Sequence, residues 1–207
     1  MTTGIIGKPI KHSLSPVLHS FWLRMYDIES TYKIYEIEKN DISRFLKSLE
    51  DNNIDGLNVT IPYKSLVMDY LDHIDQDALD LGAVNTIKVE KQNKLTGHNT
   101  DTYGFMHHLN TSVPLWKNKE GYITIIGAGG ASRAIIWSFL RENKVDIKLF
   151  NRSKERAFQL IEDMKKLFPK ANITFYSDLS EAIKNSSLLV NCSSLGMKGQ
   201  PRLEINL

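Results

Sequence analysis

The chain has 207 residues, which is enough for one large domain or for two small ones. Hydrophobic residues make up 42% and charged residues 24%, which is an ordinary balance for a globular protein. The 26 basic and 24 acidic residues nearly cancel, so the charge predicts neither a nucleic-acid partner nor an acidic membrane surface.

The cysteine content and the N-terminus indicate the compartment. Cys192 is the single cysteine, which excludes an internal disulfide and fits a reducing environment. The N-terminus lacks the apolar core of ~7–15 residues that a signal peptide needs. No stretch approaches the ~20 apolar residues of a membrane span. We therefore expect a cytoplasmic protein.

In the first half, short apolar strands alternate with amphipathic segments. Segment 15–28 carries an apolar stripe typical of an amphipathic helix, and Asp41 is the expected N-cap of a second helix. Residues 86–100 predict a hairpin that turns at Gln92–Asn93. The predicted strands are 4–7, 31–38 and 57–61, the predicted helices are 15–28, 41–53 and roughly 63–72, and the stripe consists of Val17, Leu18, Phe21, Trp22 and Met25.

The polar, proline-containing segment 112–121 precedes a strictly alternating β-α-β pattern. We place a domain boundary between about 102 and 121 and divide the chain into domains 1–104 and 105–207. The alternation predicts an α/β domain with a parallel sheet and right-handed crossovers. Its predicted strands are 122–126, 146–150, 173–176 and 187–191, and its predicted helices are about 131–142, 153–167 and 178–185.

The strand YITII is followed directly by GAGGASRA, residues 127–134, and then by a helix. Gly127 and Gly129 occupy the first two positions of G-x-G-x-x-G, where the chain turns tightly and approaches a pyrophosphate. Ser132 stands at the third position and departs from the plain pattern. This context predicts a dinucleotide site, and the alternative is a glycine-rich turn that serves packing alone. The candidate cofactor-binding residues of the loop are Gly127, Ala128, Gly129, Gly130 and Ala131.

The end of the next strand indicates which dinucleotide is bound. NAD sites of this kind usually carry Asp or Glu there, whereas this sequence has Asn151, Arg152, Ser153 and Arg156. Guanidinium groups pair with a phosphate through bidentate, charge-assisted hydrogen bonds. Cations at a helix N-terminus oppose its dipole, so a bound anion explains them better than a solvated surface does. The sequence therefore favours NADP over NAD.

The segment NVTIPYK, residues 58–64, alternates apolar residues with Asn58 and Thr60. Pro62 has no N–H to donate and ends the strand, and Lys64 follows it. Taken alone, the segment is typical of an edge strand with one solvent-facing side. Beside the polar motifs described next, it becomes one wall of a binding cleft.

Three further motifs supply polar groups. In HSLSP, Ser13 and Ser15 flank a helix start, which indicates either helix capping or an anion site. GAVNT contributes Asn85, and GHNTD places Asp101 directly before a helix that it is able to cap. The six histidines show no metal-ligand spacing, so we expect no metal site.

These motifs together resemble one known family. SLSP, NVTIPYK, GAVNT, GHNTD, GAGGASRA, NRSKER and NCSSLGM occur in the order and spacing of the shikimate dehydrogenase family, over essentially all 207 residues. The resemblance implies an N-terminal α/β substrate domain followed by a Rossmann-type NADP-binding domain, with catalysis in the cleft between them. It implies reversible reduction of 3-dehydroshikimate to shikimate by NADPH, a step of aromatic amino-acid biosynthesis.

The resemblance also implies roles for single residues. Ser13 and Ser15 resemble the pair that holds the substrate carboxylate, and Lys64 and Asp101 resemble the catalytic pair. Asp101 also counts among the substrate-binding residues. Asn58, Thr60 and Asn85 resemble the groups that bond the ring hydroxyls.

The family pattern continues beyond PRLEINL, residues 201–207, which indicates the approach to another element. We therefore expect the Rossmann-type domain to be C-terminally incomplete. Two alternatives stay open, a quinate/shikimate dehydrogenase that uses NAD and a non-catalytic protein that binds NADP or a metabolite. A monomer or a homodimer is expected.

Overall fold

The computed structural model describes residues 1–197 and 199–205. This part of the chain contains a six-stranded sheet and a four-stranded sheet. The larger sheet lies in unit 1, Met1–Thr100, and the smaller one in unit 2, Asp101–Leu207. The sequence-based division after residue 104 falls within the first helix of unit 2. Among the described residues, no helix has both the length and the apolar character that crossing a membrane requires.

Unit 1 has a mixed sheet in the order β2-β1-β3-β5-β6-β4. β1 pairs in parallel with β2 and β3, β5 is antiparallel to β3 and β6, and β4 is parallel to β6. The elements are β1 (Thr2–Gly7), α1 (Ser15–Met25), β2 (Thr31–Glu36), α2 (Ile42–Lys47), β3 (Gly56–Val59), β4 (His73–Ile74), α3 (Gln76–Leu81), β5 (Thr86–Val89) and β6 (Leu95–His98), with short 3-10 helices at Lys39–Asp41, Leu66–Tyr70 and Lys91–Asn93.

The strand of NVTIPYK is internal, which makes the edge-strand interpretation wrong. β3 is hydrogen-bonded to β1 on one side and to β5 on the other. Leu57 and Val59 are buried in the core of unit 1, and Asn58 is half-buried on the opposite face. The polar face of this strand therefore does not mark the border of the sheet and needs another explanation.

Helix α1 ends three residues earlier than predicted. Asp27 has a φ of 52°, its N–H donates to the carbonyl of Arg24, and the N–H of Ile28 donates to the carbonyl of Leu23. This pair of bonds is a Schellman ending, which satisfies the last carbonyl groups and stops the helix. The apolar stripe predicted on this helix is exposed, since Val17 is 70% and Met25 56% accessible.

The next two predicted helices are shorter or different. α2 ends at Lys47, although irregular turns continue to Asn53, which has a φ of 52°. Asp41 occupies the N-cap position without capping, because its carboxylate instead accepts a hydrogen bond from Arg44 at 2.6 Å. The predicted helix at 63–72 is a 3-10 helix at Leu66–Tyr70. The predicted hairpin turn is confirmed, with Gln92 and Asn93 both at positive φ.

Unit 2 contains a parallel sheet in the order β10-β7-β8-β9. If β7 to β10 are counted as strands 1 to 4 and the sheet is read from the β9 edge, this is the 3-2-1-4 order of a Rossmann-type half. The α/β class and the Rossmann-type arrangement predicted from the sequence are therefore confirmed. Its elements are α4 (Asp101–Ser112), β7 (Tyr122–Ile126), α5 (Gly130–Arg141), β8 (Asp146–Phe150), α6 (Lys154–Leu167), β9 (Asn172–Tyr176), α7 (Leu179–Ile183) and β10 (Ser186–Asn191), and a 3-10 helix lies at Trp116–Asn118.

The core of the unit 2 sheet is built from its central strands. Ile125 of β7 and Leu149 of β8 are completely buried, and Ile136 of α5 packs among the buried residues of the unit. Residues 201–205 have no regular structure, and the last two residues of PRLEINL lie outside the described residues. The carboxyl ends of β7 and β10 face the point where the strand order reverses, which is where ligands bind in open α/β sheets.

Candidate active site

Backbone hydrogen bonds bring three of the polar motifs together at one end of the unit 1 sheet. The N–H of Val59 donates to the carbonyl of Asn85 at 2.8 Å, and the N–H of Val84 donates to the carbonyl of Lys64 at 2.7 Å. The N–H of Asn85 donates to the carbonyl of His98 at 3.0 Å. NVTIPYK, GAVNT and GHNTD are far apart in the sequence, and the sheet makes them neighbours.

The side chain of Asn85 is the centre of this group and is only 8% exposed. Its Oδ1 accepts hydrogen bonds from the backbone N–H of Thr100 at 3.0 Å and from the hydroxyl of Thr86 at 2.9 Å. Its Nδ2 donates to the Thr100 hydroxyl at 3.1 Å. Asn99 is also buried, and its Nδ2 donates to the carbonyl of Ala83 at 2.8 Å. The segment that leads to Asp101 is thereby held against GAVNT.

Asn58 joins the same group through its amide. Its Nδ2 lies 3.5 Å from the Asn85 carbonyl oxygen and 3.4 Å from the Thr86 hydroxyl. Its Oδ1 accepts a hydrogen bond of 2.7 Å from the hydroxyl of Tyr32. No local sequence pattern indicates Tyr32, because its contact with Asn58 joins residues 26 positions apart.

Ser13 and Ser15 lie where α1 begins, but the capping role predicted for Ser15 is wrong. Leu14 occupies the N-cap position in a helical conformation, so Ser15 is already the first helical residue and cannot cap with its side chain. The hydroxyl of Ser13 instead accepts the N–H of Ser15 at 3.2 Å. Burial raises the pKa of Tyr32 to about 12, and the side chain of Ser15 opposes this shift, which places Ser15 near the tyrosine that bonds to Asn58.

Thr60 follows β3 and is fixed by β1. Its N–H donates to the carbonyl of Ile6 at 3.0 Å, and its carbonyl accepts the N–H of Tyr63 at 2.9 Å. A Cβ atom on Gly7 would lie 2.5 Å from the Thr60 methyl group, so only glycine at position 7 lets Thr60 pack there. Ile61 and Pro62 form a cis peptide bond directly after Thr60.

The predicted catalytic pair is divided between the two units. Lys64 is partly buried in unit 1, and its backbone carbonyl accepts the hydrogen bond from the N–H of Val84. Asp101 is the first residue of α4 and of unit 2, and it is exposed. Their joint catalytic role stays a prediction.

In unit 2, the glycine loop leaves the carboxyl end of β7 as predicted. Gly127 is buried with a φ of 105°, and its N–H donates to the carbonyl of Phe150 at 2.8 Å. Gly129 is the N-cap residue of α5, and a Cβ atom on Gly129 or Gly130 would meet no atom within 4 Å. The first backbone N–H groups of α5 have no partner within their helix. The loop therefore offers both open space and N–H donors to an anion, and Ala128 and Ala131 lie in the same turn.

Two further residues line the base of this loop. Ser132 is completely buried and accepts the N–H of Gly129 at 3.4 Å. Burial raises the pKa of the nearby Cys192 thiol to about 11, and the Ser132 side chain opposes this shift. Cys192 is therefore a neutral thiol at physiological pH. The third glycine position is thus filled by a small residue that packs the helix against the neighbouring strand.

The turn after β8 is preorganised by its own side chains. Ser153 caps α6 by accepting the N–H of Arg156 at 3.3 Å, and the Nδ2 of Asn151 donates to the carbonyl of Ser153 at 2.7 Å. Arg152 and Arg156 are exposed, and in the described part of the chain neither forms an ion pair. Their charges are available to a bound anion.

Glu155 was not predicted at this turn, and its carboxylate lies between Arg152 and Arg156 in the sequence. The hydroxyl of Ser153 donates to its Oε2 at 2.8 Å. The pKa of Glu155 lies below its usual value, chiefly because its own backbone N–H donates to it and secondly because of Ser153. In the described ranges, no group of three or more His, Cys, Asp or Glu side chains is arranged to hold a metal ion.

Comparisons with known proteins agree along the whole chain. Residues 5–87 match the model of the shikimate dehydrogenase substrate binding domain, and residues 111–197 match that of shikimate / quinate 5-dehydrogenase. A shikimate dehydrogenase (NADP(+)) of Paramagnetospirillum magneticum is 38% identical over 204 residues, which cover 99% of this chain and 73% of that protein.

Two solved structures are similar in fold and in sequence. The shikimate dehydrogenase of Aquifex aeolicus superposes with a TM-score of 0.84 at 34% identity, over 98% of this chain and 72% of that one. The shikimate 5-dehydrogenase of Thermus thermophilus, solved in complex with NADP(H) and shikimate, gives a TM-score of 0.81 at 30% identity, over 96% and 70% of the two chains.

Proposed function

The chain belongs to the shikimate dehydrogenase family, and on this premise we propose that it catalyses the reversible NADPH-dependent reduction of 3-dehydroshikimate to shikimate. The observation that carries the proposal is the hydrogen-bonded group of Tyr32, Asn58 and Asn85 in unit 1. A substrate with one carboxylate and several hydroxyls needs many polar partners held in fixed positions. This group supplies them at one end of one sheet.

Unit 2 has the hydrogen-bond donors and the open space that binding of NADP requires. Gly129 and Gly130 leave room for a pyrophosphate at the N-terminus of α5, where the helix dipole and the free N–H groups favour an anion. Arg152, with Asn151 and Ser153 beside it and Arg156 one turn further on, would hold the 2′-phosphate. When bound, NADPH supplies the hydride.

In unit 1, Ser13 and Ser15 would bind the substrate carboxylate at the start of α1. Asn58, Thr60 and Asn85 would bind the ring hydroxyls. Asn85 contributes most of its hydrogen-bonding capacity to the protein itself, so it fixes the site as well as contacting the substrate. We assign substrate binding to domain 1–104 and NADP binding to domain 105–207.

Lys64 and Asp101 would carry out the proton chemistry. Reduction of the ketone leaves negative charge on its oxygen, and the Lys64 ammonium stabilises that charge and supplies the proton. We assign to Asp101 the orientation of the reacting hydroxyl. In the reverse direction, Lys64 accepts the proton from that hydroxyl. The single cysteine favours a reducing compartment, and we propose a cytoplasmic monomer or homodimer.

A second candidate function is a quinate/shikimate dehydrogenase that uses NAD. It is favoured by the shikimate / quinate model that matches residues 111–197, and by the carboxylate of Glu155 at the position where a 2′-phosphate would bind. The charges of Arg152 and Arg156, which form no ion pair with any described residue, favour NADP. A non-catalytic protein would bind NADPH without oxidising it.

The test is a matrix of steady-state rates with shikimate or quinate and with NADP or NAD. We expect the highest kcat/KM for shikimate with NADP, and NADPH oxidation on addition of 3-dehydroshikimate. Higher kcat/KM for quinate with NAD would establish the second candidate. Calorimetric binding of NADPH without turnover of any substrate would establish a binding protein.

A further inference from the structure

Tyr32 of β2 is held rigidly beside the group of substrate-binding residues. Its side chain packs with Ile5 and Ile10 in a small cluster of buried residues, and the residue is 9% exposed. Its ring stacks on His19 of α1, with ring centroids 4.0 Å apart and an angle of 9° between the planes. Contacts on several sides leave the ring little freedom to move.

The register of the sheet aims Tyr32 at Asn58. Tyr32 pairs with Thr3 of β1, whereas Asn58 pairs with Ile5, so Tyr32 and Asn58 lie on the same face of the sheet on either side of β1. The tyrosine side chain crosses β1 and donates its hydroxyl proton to Asn58 Oδ1 at 2.7 Å.

The chemistry of the two groups fixes the direction of this donation. An amide oxygen can only accept a hydrogen bond, and a phenol has one proton, so Tyr32 gives its proton to Asn58.

This hydrogen bond sets the orientation of the Asn58 amide. With Oδ1 toward Tyr32, Nδ2 turns to the other side, where its contacts with the Asn85 carbonyl oxygen and the Thr86 hydroxyl are long, at 3.5 Å and 3.4 Å. Long hydrogen bonds of this kind are weak. The Nδ2 donors of Asn58 are therefore only weakly engaged within the protein, and a substrate hydroxyl is able to accept from them.

We propose that Tyr32 is a positioning residue for the substrate, acting through Asn58, a role that rests on the proposed function. Its hydroxyl orients an amide assigned to a ring hydroxyl, and its ring stacks on α1, the helix at whose start the residues assigned to the substrate carboxylate lie. Burial raises the pKa of Tyr32 to about 12, so its hydroxyl stays a donor at physiological pH and takes no part in proton transfer.

The test compares Tyr32→Phe with Tyr35→Phe. Tyr32→Phe removes the hydroxyl and keeps the ring on His19. Tyr35 lies on the same strand and packs against Phe45, and within the described residues its hydroxyl has no hydrogen-bond partner. We expect Tyr32→Phe to raise the KM for shikimate about three- to tenfold, as loss of one to two oriented hydrogen bonds would. We expect Tyr35→Phe to leave that KM unchanged.

A double-mutant cycle separates positioning from a merely structural role. If Tyr32 acts through Asn58, adding Tyr32→Phe to Asn58→Ala raises the KM by much less than Tyr32→Phe does in the wild type. The KM for NADP should not change in any of these variants. A wild-type KM for shikimate in Tyr32→Phe, or fully additive effects in the cycle, would overturn the inference. A wild type that neither binds nor turns over shikimate would instead overturn the proposed function.

Discussion

A Cβ atom on Gly127 would lie 3.2 Å from the backbone of Cys192, which follows the neighbouring strand β10. Gly127 also has a φ of 105°, which disfavours any residue with a side chain. Gly129 has a φ of −106° and open space at its Cβ position. The two glycines of one motif are therefore required for different reasons, the first by the fold and the second by space for a ligand.

This difference predicts that substitution by alanine lowers the stability at position 127 and weakens cofactor binding at position 129. Gly127→Ala should lower the Tm by roughly 3–10 °C, because a non-glycine residue at this φ costs about 1–3 kcal/mol. Gly129→Ala should leave the Tm within about 2 °C of the wild-type value. It should weaken NADPH binding, because the added methyl group enters the space assigned to the pyrophosphate. Thermal unfolding and NADPH titration of both variants check this. Unchanged NADPH affinity in Gly129→Ala would contradict the assigned position of the pyrophosphate.

Lys64→Ala should remove most turnover. Loss of the group that supplies the proton should lower kcat by about 10²–10⁴-fold, while NADPH binding stays at its wild-type value. NADPH oxidation with 3-dehydroshikimate measures the rate, and a titration measures binding. Lys94→Ala, at an exposed position in unit 1, is the matched control and should behave like the wild type. Undiminished turnover in Lys64→Ala would exclude the mechanism.

Asn85→Ala should affect stability and substrate binding together. It removes the acceptor of the Thr100 N–H, and an unsatisfied buried donor costs about 1–3 kcal/mol. It also removes an amide assigned to a ring hydroxyl, so the KM for shikimate should rise. Asn52→Ala, which deletes an exposed amide bonded to the Ser48 carbonyl, should change neither quantity. A destabilised variant with a wild-type KM would reduce Asn85 to a structural role.

Arg152→Ala should weaken the binding of NADPH much more than the binding of NADH. Loss of charge-assisted hydrogen bonds to the 2′-phosphate should raise the Kd for NADPH by about tenfold or more. NADH lacks this phosphate, so its affinity should change by less than about twofold. Lys166→Ala removes an equal charge near the other end of α6 and should spare both cofactors. Equal weakening of NADPH and NADH by Arg152→Ala would remove the basis for NADP specificity.

Glu155→Gln should bind NADPH more tightly. The lowered pKa keeps Glu155 ionised at pH 7, so its carboxylate repels a phosphate and competes for the Ser153 hydroxyl. For a solvent-exposed charge we expect a two- to fivefold decrease, at about 0.1 M salt, in the Kd for NADPH. The affinity for NADH should not increase. The same titrations at high salt should reduce the difference, and a difference that does not respond to salt would exclude an electrostatic cause.

The Rossmann-type half was predicted almost completely from the sequence. Its strands are short apolar runs and its helices have clear apolar faces, so local patterns indicate nearly every boundary in unit 2. In unit 1 five of the six strands and the Gln92–Asn93 turn were predicted, whereas β4 and α3 were missed and the first two helices were predicted too long. Asp27 and Asn53 adopt positive φ at the ends of helical turns, which hydrophobic periodicity does not detect.

The sequence by itself determined the alternation of elements, the glycine loop, the basic turn after β8 and the polar residues of the site, because each of these is a property of neighbouring residues. Only the tertiary structure decided that β3 is internal, that the Ser13 hydroxyl accepts the N–H of Ser15 at the start of α1, and that Tyr32 reaches Asn58. These depend on strand order and register, which bring together residues that are distant in the sequence. Hydrogen bonds between such residues leave no periodic pattern in the chain.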